Sequence, residues 1–331
     1  MGVEKETPPE LNSLQEEATE GADDSNRLPE RIARYGEAKK RSQLMASHIS
    51  GMAAMSSDFQ ADELSKLAVK IDDCASYLLF RNYYTVGKVR LSKAFFCKKH
   101  NLCPMCAIRR GAKTLKAYLD RYEIIQEEDP DLELFMVTLT IKNGDDLQER
   151  YDHLQNSFRK YLDRRRDALK KGRGFNELCK AEGAVYSYEI TNKGKGWHPH
   201  IHVLTLCRKG ESIDKYKLSQ EWESITGDSK IVDVRPVLGE VSSGFMEVLK
   251  YAMKFSDLTV EQNFMAYEIL KGKRMLGCFG KFFGVKVPDD LLDEQLDDLP
   301  YIELIYRYFE GKGYSVTGHG NITLESKIKN S

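Results

Sequence analysis

The hydrophobic positions of the chain predict an alternation of helices and strands that begins near Leu28. From Leu28 to Leu79 apolar residues recur at helical spacing, as in ADELSKLAVKIDDCASYLLF, which predicts two or three helices. The segment RRGAKTLKAYLDRYEII has the pattern of an amphipathic helix, and the apolar, threonine-rich run LELFMVTLTIKN is typical of a strand buried on both faces. A long helix is predicted over residues 145–171.

Two strands joined by a tight turn are predicted in the centre of the chain. The segments AEGAVYSYEIT and WHPHIHVLTLC have strand character, and the loop NKGKG between them is rich in turn residues, so we expect an antiparallel hairpin. A helix at residues 215–226, the strand KIVDVRPV and a helix at residues 243–256 follow. This order predicts an α+β fold with a mainly antiparallel sheet.

Shifts in composition divide the chain into four segments. Residues 1–30 combine Pro, Ser, Gly and acidic residues without apolar periodicity, which predicts a disordered acidic tail. Residues 31–130 are expected to form a helical accessory region that contains a Cys/His cluster. Residues 131–287 hold the strands and the candidate chemistry, and residues 288–331 form an acidic C-terminal segment.

A chain of 331 residues with 41% hydrophobic content is long enough to bury a substantial core. No stretch approaches the roughly 18 apolar residues of a membrane span. The N-terminus lacks the basic and apolar regions of a signal peptide. These features predict a cytoplasmic protein with no membrane partner.

The net charge of −1 conceals a basic centre between two acidic ends. Residues 1–30 carry nine acidic and two basic side chains, and residues 288–331 carry nine acidic and four basic, which leaves +11 for residues 31–287. A basic body favours a partner that carries phosphates, because each neutralised phosphate releases counterions. A nucleic acid is therefore an expected partner.

The strand WHPHIHVLTLC presents histidines at alternate positions. Because side chains alternate between the faces of a strand, His200 and His202 share one face while Ile201 points to the other. His198 has the same parity. Two imidazoles at this spacing form half of a metal site, whereas one histidine near a turn is more often polar surface.

The hairpin turn predicts which residue lies opposite these histidines. If the turn is centred between Gly194 and Lys195, Glu189 pairs with His200 and adds a carboxylate to the two imidazoles. A register shift of two would instead place Ser187 or Thr191 there. Mixed histidine and carboxylate ligands suit Mg²⁺ or Mn²⁺ in a site that also accepts a phosphate oxygen.

The segment SSGFMEVLKYAMKF contains a tyrosine that is a candidate nucleophile. Glu247 and Tyr251 are four residues apart, so a helix places them on one face, and Lys254 follows one turn later. A phenol titrates near pH 10 and needs a cationic environment to attack at neutral pH. The same spacing is also compatible with a plain contact along the helix surface.

Three of the seven cysteines cluster between residues 97 and 106, which favours a metal site over disulfides. The motif C-x2-H-x2-C-x2-C consists of Cys97, His100, Cys103 and Cys106. These soft ligands suit tetrahedral zinc in a structural role. Cys74 is the alternative fourth ligand if His100 faces solvent.

Basic residues at two places are candidates for contacting a phosphate backbone. They lie in the helix after the cysteine cluster and in NSFRKYLDRRRDALKKGR, which holds eight Lys/Arg against two Asp. Such runs are also typical of solvated helix faces. The candidates are Arg109, Arg110, Lys113, Arg164 and Arg165.

The motifs FMVTLTIKN, GWHPHIHVL and EVLKYAMK, in this order, resemble those of the rolling-circle plasmid replication initiator (Rep) proteins of the HUH endonuclease superfamily, in the small bacterial plasmid subclass. The similarity runs from about Cys97 to Gly284. It implies a ferredoxin- or RRM-like palm and site-specific nicking of single-stranded or supercoiled origin DNA. It also implies that His200 and His202 hold the catalytic cation, with Glu189 as a third ligand and His198 as a further candidate.

The same resemblance implies the roles of the tyrosine helix. Tyr251 would form a 5′-phosphotyrosine and leave a 3′ end for the host DNA polymerase, and Glu247 would activate water at termination. Lys254 would steady the phosphate or the phenolate. A host helicase is a further expected partner.

Two other functions are compatible with these motifs. One is a relaxase or transposase of a mobile element, although relaxases usually place the tyrosine before the histidines. The other is a zinc-containing DNA-binding regulator without catalysis, which would not need the aligned histidines, glutamate and tyrosine.

Overall fold

The computed structural model describes residues 23–249, 258–296 and 298–322. The chain divides into two compact units, one within Met1–Lys113 and Pro288–Ser331 and the other within Thr114–Val287. The described helices are α1 (Leu28–Ala53), α2 (Asp58–Asp72), α3 (Pro104–Glu128), α4 (Leu147–Lys171), α5 (Lys215–Thr226), α6 (Val241–Leu249) and α7 (Val260–Leu270). The described strands are β1 (Tyr77–Tyr83), β2 (Lys88–Ala94), β3 (Leu132–Thr140), β4 (Ala181–Asn192), β5 (Trp197–Arg208), β6 (Val232–Pro236), β7 (Leu276–Gly280), β8 (Tyr301–Phe309) and β9 (Gly313–Ile322).

The predicted α+β fold with antiparallel sheets is confirmed. The second unit contains a five-stranded sheet in the order β6-β3-β5-β4-β7, and the first unit contains a four-stranded sheet in the order β2-β1-β8-β9. The pairs of neighbouring strands are antiparallel in both sheets. Within the described ranges, no helix has both the length and the apolar character needed to cross a membrane.

The side chains of β5 alternate between an apolar core and the face that carries the histidines. Ile201 and Val203 are fully buried in a core that includes Phe158 of α4 and Trp222 of α5. This alternation follows from the period of two in a strand. The even-numbered histidines therefore lie on the opposite side of the sheet, which we call the histidine face.

The turn between β4 and β5 sets the register of the hairpin, and this register is the one predicted for a turn centred between Gly194 and Lys195. Gly194 and Gly196 have φ values of +80° and +83°, a left-handed conformation that costs glycine little. At Gly196 an added Cβ would also lie only 2.8 Å from Gly144 O. Glu189 pairs directly opposite His200, as predicted.

Helix α6 packs on the histidine face. Gly244 lies against Leu204 of β5, where an added Cβ would come within 3.3 Å of the leucine Cδ1. Ser187 Oγ of β4 donates a hydrogen bond to Val248 O. Phe245 is fully buried among three other aromatic rings, those of Tyr118, Tyr122 and Phe282.

The sheet of the first unit was missed by the sequence analysis, which assigned helices to residues 31–130 and a separate acidic segment to residues 288–331. Strand β1 pairs with both β2 and β8, so that Phe80 lies opposite Leu304. The sequence of β8, YIELIYRYF, mixes charged residues into an aromatic run. Its partner β1 is more than 200 residues away in the sequence, beyond the reach of local patterns.

Residues 23–30, inside the segment predicted to be a disordered tail, are among the described residues and include the start of α1 at Leu28. The Asp23 carboxylate pairs with Lys88 Nζ at 3.1 Å and with Arg90 Nη2 at 2.6 Å. These contacts attach residues 23–30 to β2. Residues 1–22 of the predicted tail lie outside the described residues.

A buried carboxylate, Asp293, connects several elements of the first unit. It accepts hydrogen bonds from Arg31 Nη2 at 3.0 Å, from Arg109 Nη2 at 2.6 Å and from Leu91 N at 2.6 Å. Burial alone would raise the pKa of Asp293, but the Arg109 and Arg31 guanidinium groups hold it well below its usual range. The resulting stabilisation is fully present above about pH 4, the ordinary value, and is lost as the pH falls towards the folded-state pKa.

We expect Asp293→Asn to lower the free energy of unfolding at pH 7 by about 3–5 kcal/mol, because it leaves two arginines without their buried counter-charge. The matched control is Asp289→Asn, whose carboxylate is 96% exposed and lies 3.6 Å from Arg110 Nη1. The control should cost less than about 1 kcal/mol. Urea unfolding of both variants measures the difference, and equal losses would contradict the structural role of Asp293.

Candidate functional site

Glu189, His200 and His202 form a cluster on the histidine face. Glu189 Oε2 lies 2.7 Å from His202 Nε2 and 3.2 Å from His200 Nε2. The three candidate ligand atoms all lie within 4.8 Å of one another. Neighbouring ligands of an octahedral cation with bonds of about 2.1 Å are about 3.0 Å apart, so this set fits one face of a small divalent ion.

The other ring nitrogens of the two histidines have their own partners. His200 Nδ1 donates to His198 O at 3.4 Å, since a carbonyl oxygen can only accept. His202 Nδ1 lies 3.2 Å from Thr138 Oγ1 on β3. Partners of this kind orient a ligating histidine so that its Nε2 is directed at the cation. Thr138, in a motif expected from the sequence to lie on a strand beside the histidine hairpin, is thus a supporting residue of the site.

His198 is adjacent to the cluster but is not one of its three members. Its Nδ1 lies 2.7 Å from Asn143 Oδ1, and Asn143 Nδ2 donates to Lys195 O at 3.0 Å. Burial, followed by the nearby charge of His200, lowers the pKa of His198. Asn143 therefore joins the loop after β3 to the tip of the hairpin, a contact that the sequence analysis missed.

Four cysteine sulfurs converge in the first unit. Cys74, Cys97, Cys103 and Cys106 are each no more than 2% exposed, and their sulfurs lie within 4.8 Å of one another. The Sγ atoms of Cys74 and Cys106 are 3.5 Å apart, as are those of Cys97 and Cys106. The group contains Cys74, the alternative named from the sequence, and it does not include His100.

The chemistry of the four thiols favours a bound cation. Hydrogen bonding to Cys103 raises the pKa of Cys74 and Cys106. Burial opposes ionisation of Cys103, but its hydrogen bonds with the neighbouring cysteines and Ser42 lower its pKa. Ionisation of one thiol is therefore favoured at the expense of the others. A bound cation is needed for all four thiols to ionise together. Sulfurs around tetrahedral zinc lie about 3.8 Å apart for bonds of about 2.3 Å, close to the spacing here.

The backbone is strained beside two of these cysteines. Ala75 and Lys98 directly follow Cys74 and Cys97, and their φ values are +54° and +57°. Residues with a Cβ adopt this conformation at a cost of about 1–3 kcal/mol, and it is often found at ligand clamps. The surrounding structure holds the two loops in the shape that directs both sulfurs inward.

Glu247 of α6 forms an ion pair with Arg235 of β6. Its side chain is 24% exposed, so it retains contact with solvent. Tyr251 and Lys254, predicted in the same helix, fall in residues 250–257, outside the described residues. Their roles stay predictions.

The five basic residues predicted to contact a backbone differ in accessibility. Arg109 is 3% exposed and donates to Tyr35 OH at 3.0 Å, so its expected phosphate contact is corrected to a structural role. Arg165 is also engaged, since its Nε donates to Leu178 O at 2.8 Å and its Nη2 to Ala181 O at 2.6 Å. A charge pattern cannot distinguish a solvated arginine from one that binds main-chain carbonyls.

The other three candidates are exposed or partly exposed. Arg164 is exposed, with its Nη1 3.4 Å from Ser224 Oγ. Arg110 is 28% exposed and donates to Pro288 O at 2.6 Å. Burial, followed by the nearby Arg109 charge, lowers the pKa of Lys113.

Exposed lysines lie in the loops at the hairpin end of the sheet. The contact of Asn143 with Lys195 O and the bond from Lys142 N to Ser229 Oγ at 2.9 Å bring three loops together there. We call this group the lysine rim; its members are Lys142, Lys193, Lys195 and Lys230. The sequence analysis missed it because the lysines are scattered singly through turns.

Comparison with known proteins places these features in one family of sequences. Residues 88–304 match the family model described as "Replication protein" (Rep_1). A curated "Protein rep" of Streptococcus pneumoniae serotype 2 is 30% identical over 257 residues, covering 71% of this chain and 76% of the relative. A "Protein rep" of Bacillus amyloliquefaciens is 27% identical over 303 residues, covering 80% and 84%. A third, of Staphylococcus aureus, is 30% identical over 205 residues, covering 58% and 84%. No solved structure matches the chain.

We expect Cys74→Ser to abolish or strongly weaken metal binding by the cysteine cluster, because it removes one of four converging sulfurs. His100→Ala is the matched control and should retain the metal. Mass spectrometry of the metal content of purified protein checks both variants. Loss of metal in His100→Ala with retention in Cys74→Ser would reverse the ligand assignment.

We expect Thr138→Val to weaken cation binding at Glu189, His200 and His202 by roughly 10–100-fold, the usual effect of removing a partner of a ligating histidine. Thr140→Val is the control, since its hydroxyl donates to Ile231 O instead. Titration with Mn²⁺, followed by electron paramagnetic resonance, measures both affinities. Equal affinities in the two variants would show that Thr138 does not support the site.

Proposed function

The chain belongs to the Rep_1 family of replication proteins, and from this we propose that it initiates rolling-circle replication of a plasmid by nicking one strand at the origin. The observation that carries the proposal is the convergence of Glu189, His200 and His202 on the face against which α6 packs. Three residues after Val248 in the sequence comes Tyr251, the proposed nucleophile.

The three ligands suit Mg²⁺ or Mn²⁺ bound at the scissile phosphate. When bound, such a cation withdraws electron density from the phosphoryl oxygens and helps to align the target. The protein contributes rigid ligands: Glu189 is 1% exposed and His202 is 7% exposed, so neither side chain has room to reorient. Positioning of this kind supplies much of the rate in phosphoryl transfer.

In the proposed nicking step, the Tyr251 phenolate oxygen attacks the phosphorus. The bond between phosphorus and the 3′ oxygen breaks, and that oxygen takes up a proton to leave a 3′-hydroxyl. The product is a 5′-phosphotyrosine, which conserves the energy of the phosphodiester. The 3′-hydroxyl then primes a host DNA polymerase, while a host helicase separates the strands, and Lys254 steadies the phosphate or the phenolate.

At termination, Glu247 accepts a proton from water, whose oxygen attacks the phosphotyrosine and releases the Tyr251 phenol. Strand closure follows the reverse of nicking: a 3′-hydroxyl attacks the phosphotyrosine and the phenol leaves. Because hydrolysis does not conserve the phosphodiester, this release by Glu247-activated water is irreversible. The partly covered position of Glu247 beside the histidine face supports this role.

The remaining surfaces have proposed roles in holding the substrate and the fold. The lysine rim lies at the hairpin end of the sheet that carries the candidate cation site, and we assign it the DNA backbone near the nick, with Arg164 as a more distant contact. The four cysteines hold zinc in a structural role in the first unit. The nicking and joining chemistry belongs to residues 131–287.

The central test is incubation of the full chain with supercoiled plasmid and single-stranded DNA carrying its origin, in Mg²⁺ or Mn²⁺. Wild type should nick the DNA and form a covalent adduct that survives denaturing electrophoresis. Tyr251→Phe should reduce the adduct to background because the nucleophilic oxygen is missing. His202→Ala should greatly slow nicking.

The matched control is Tyr216→Phe, which alters a tyrosine on α5 that is 72% exposed and should leave adduct formation unchanged. An adduct that persists in Tyr251→Phe would refute the nucleophile assignment. Binding of origin DNA by wild type without nicking under any cation would favour a non-catalytic regulator.

A further inference from the structure

We propose that Arg235 is a positioning residue that orients Glu247 for the release of the covalent intermediate, an inference that rests on the proposed function. Arg235 lies in β6, the edge strand of the five-stranded sheet. The sequence motifs of the histidine strand and the tyrosine helix do not include it.

The register of the sheet places Arg235 on the histidine face. Thr138 of β3 pairs with His202 of β5 on one side and with Asp233 of β6 on the other. Directly paired residues in an antiparallel sheet share a face. Arg235, two residues beyond Asp233, therefore points to the same face, about 7 Å further along the strand.

The ion pair with Glu247 links this edge strand to α6. Arg235 Nη2 contacts Glu247 Oε2, with the arginine side chain 52% exposed and the glutamate 24% exposed. The neighbouring acid on the same face of β6, Asp233, pairs instead with Lys215 Nζ at 3.2 Å. The structure thus pairs the guanidinium of Arg235 with the carboxylate that would activate water.

The chemistry of the pair explains why it concerns catalysis more than folding. A half-exposed ion pair contributes little to stability, because water screens it. A general base, however, must keep a lone pair aimed at one water molecule. The planar guanidinium restrains the carboxylate plane, since its donors have fixed directions that a lysine ammonium lacks. Arg235 acts on release, where Glu247 takes a proton, and not on the attack by Tyr251.

The test measures two rates on the same DNA: formation of the covalent adduct and its release as free protein. Arg235→Gln should lower the ratio of release rate to nicking rate by roughly tenfold, the scale of a lost orientation. Arg235→Lys should recover part of the ratio of release rate to nicking rate. It restores the positive charge but not the fixed donor directions of the guanidinium group. The thermal unfolding midpoint should stay that of wild type, which excludes misfolding.

A double-mutant cycle separates positioning from direct contact with DNA. If Arg235 acts through Glu247, Arg235→Gln adds no further loss of release in a Glu247→Gln background. The matched control is Arg208→Gln, which removes an arginine 49% exposed and paired with Asp129 at 3.1 Å and Glu182 at 2.8 Å. Arg208 lies eight residues from His200, about 26 Å along β5, and its variant should release like wild type.

An unchanged ratio of release rate to nicking rate in Arg235→Gln would overturn the proposal. An equal loss of release in the wild-type and Glu247→Gln backgrounds would also overturn it, because that result would indicate a phosphate contact. If Glu247→Gln itself releases the adduct at the wild-type rate, the assigned role of Glu247 fails first and the positioning role falls with it. The single variants therefore show which of the two has failed.

Discussion

The antiparallel pairing of β4 with β5 is the constraint on which the candidate site depends. Its register follows from the glycine turn, where Gly196 is pressed against the Gly144 carbonyl, and it sets Glu189 opposite His200. A shift of one residue would turn the histidines into the core and expose Ile201, at the expense of its burial. The apolar core thus enforces the same register that assembles the candidate metal ligands.

The elements around Glu189, His200 and His202 are held in place on the same histidine face. Thr138 supports His202 from β3, and α6 is fixed on this face by a hydrogen bond from Ser187 to Val248 O and by burial of Phe245. Rigid elements on both sides limit the motion of the candidate ligands, and such support keeps ligating side chains oriented. Strand β6, at one edge of the sheet, completes the arrangement by placing the Arg235 guanidinium group against Glu247.

Charged residues illustrate how little a charge pattern says about role. Arg109 and Arg165 stand in basic runs, yet one binds the buried Asp293 and the other binds main-chain carbonyls. The lysine rim was missed because its members are separated in sequence. In both cases the deciding quantity is solvent exposure, which depends on the segments that pack over each residue.

The sequence by itself determined the elements and contacts that depend on local pattern. The period of two placed His200 and His202 together, and the turn residues predicted Glu189 opposite His200, with Ser187 or Thr191 as the alternatives for a shifted register. Tertiary structure alone decided the non-local contacts: Cys74 in place of His100, β1 beside β8, and Arg235 against Glu247. Periodicity specifies which face a side chain occupies, but it does not specify which distant segment will lie against that face. That choice depends on how all the buried surfaces fit at once.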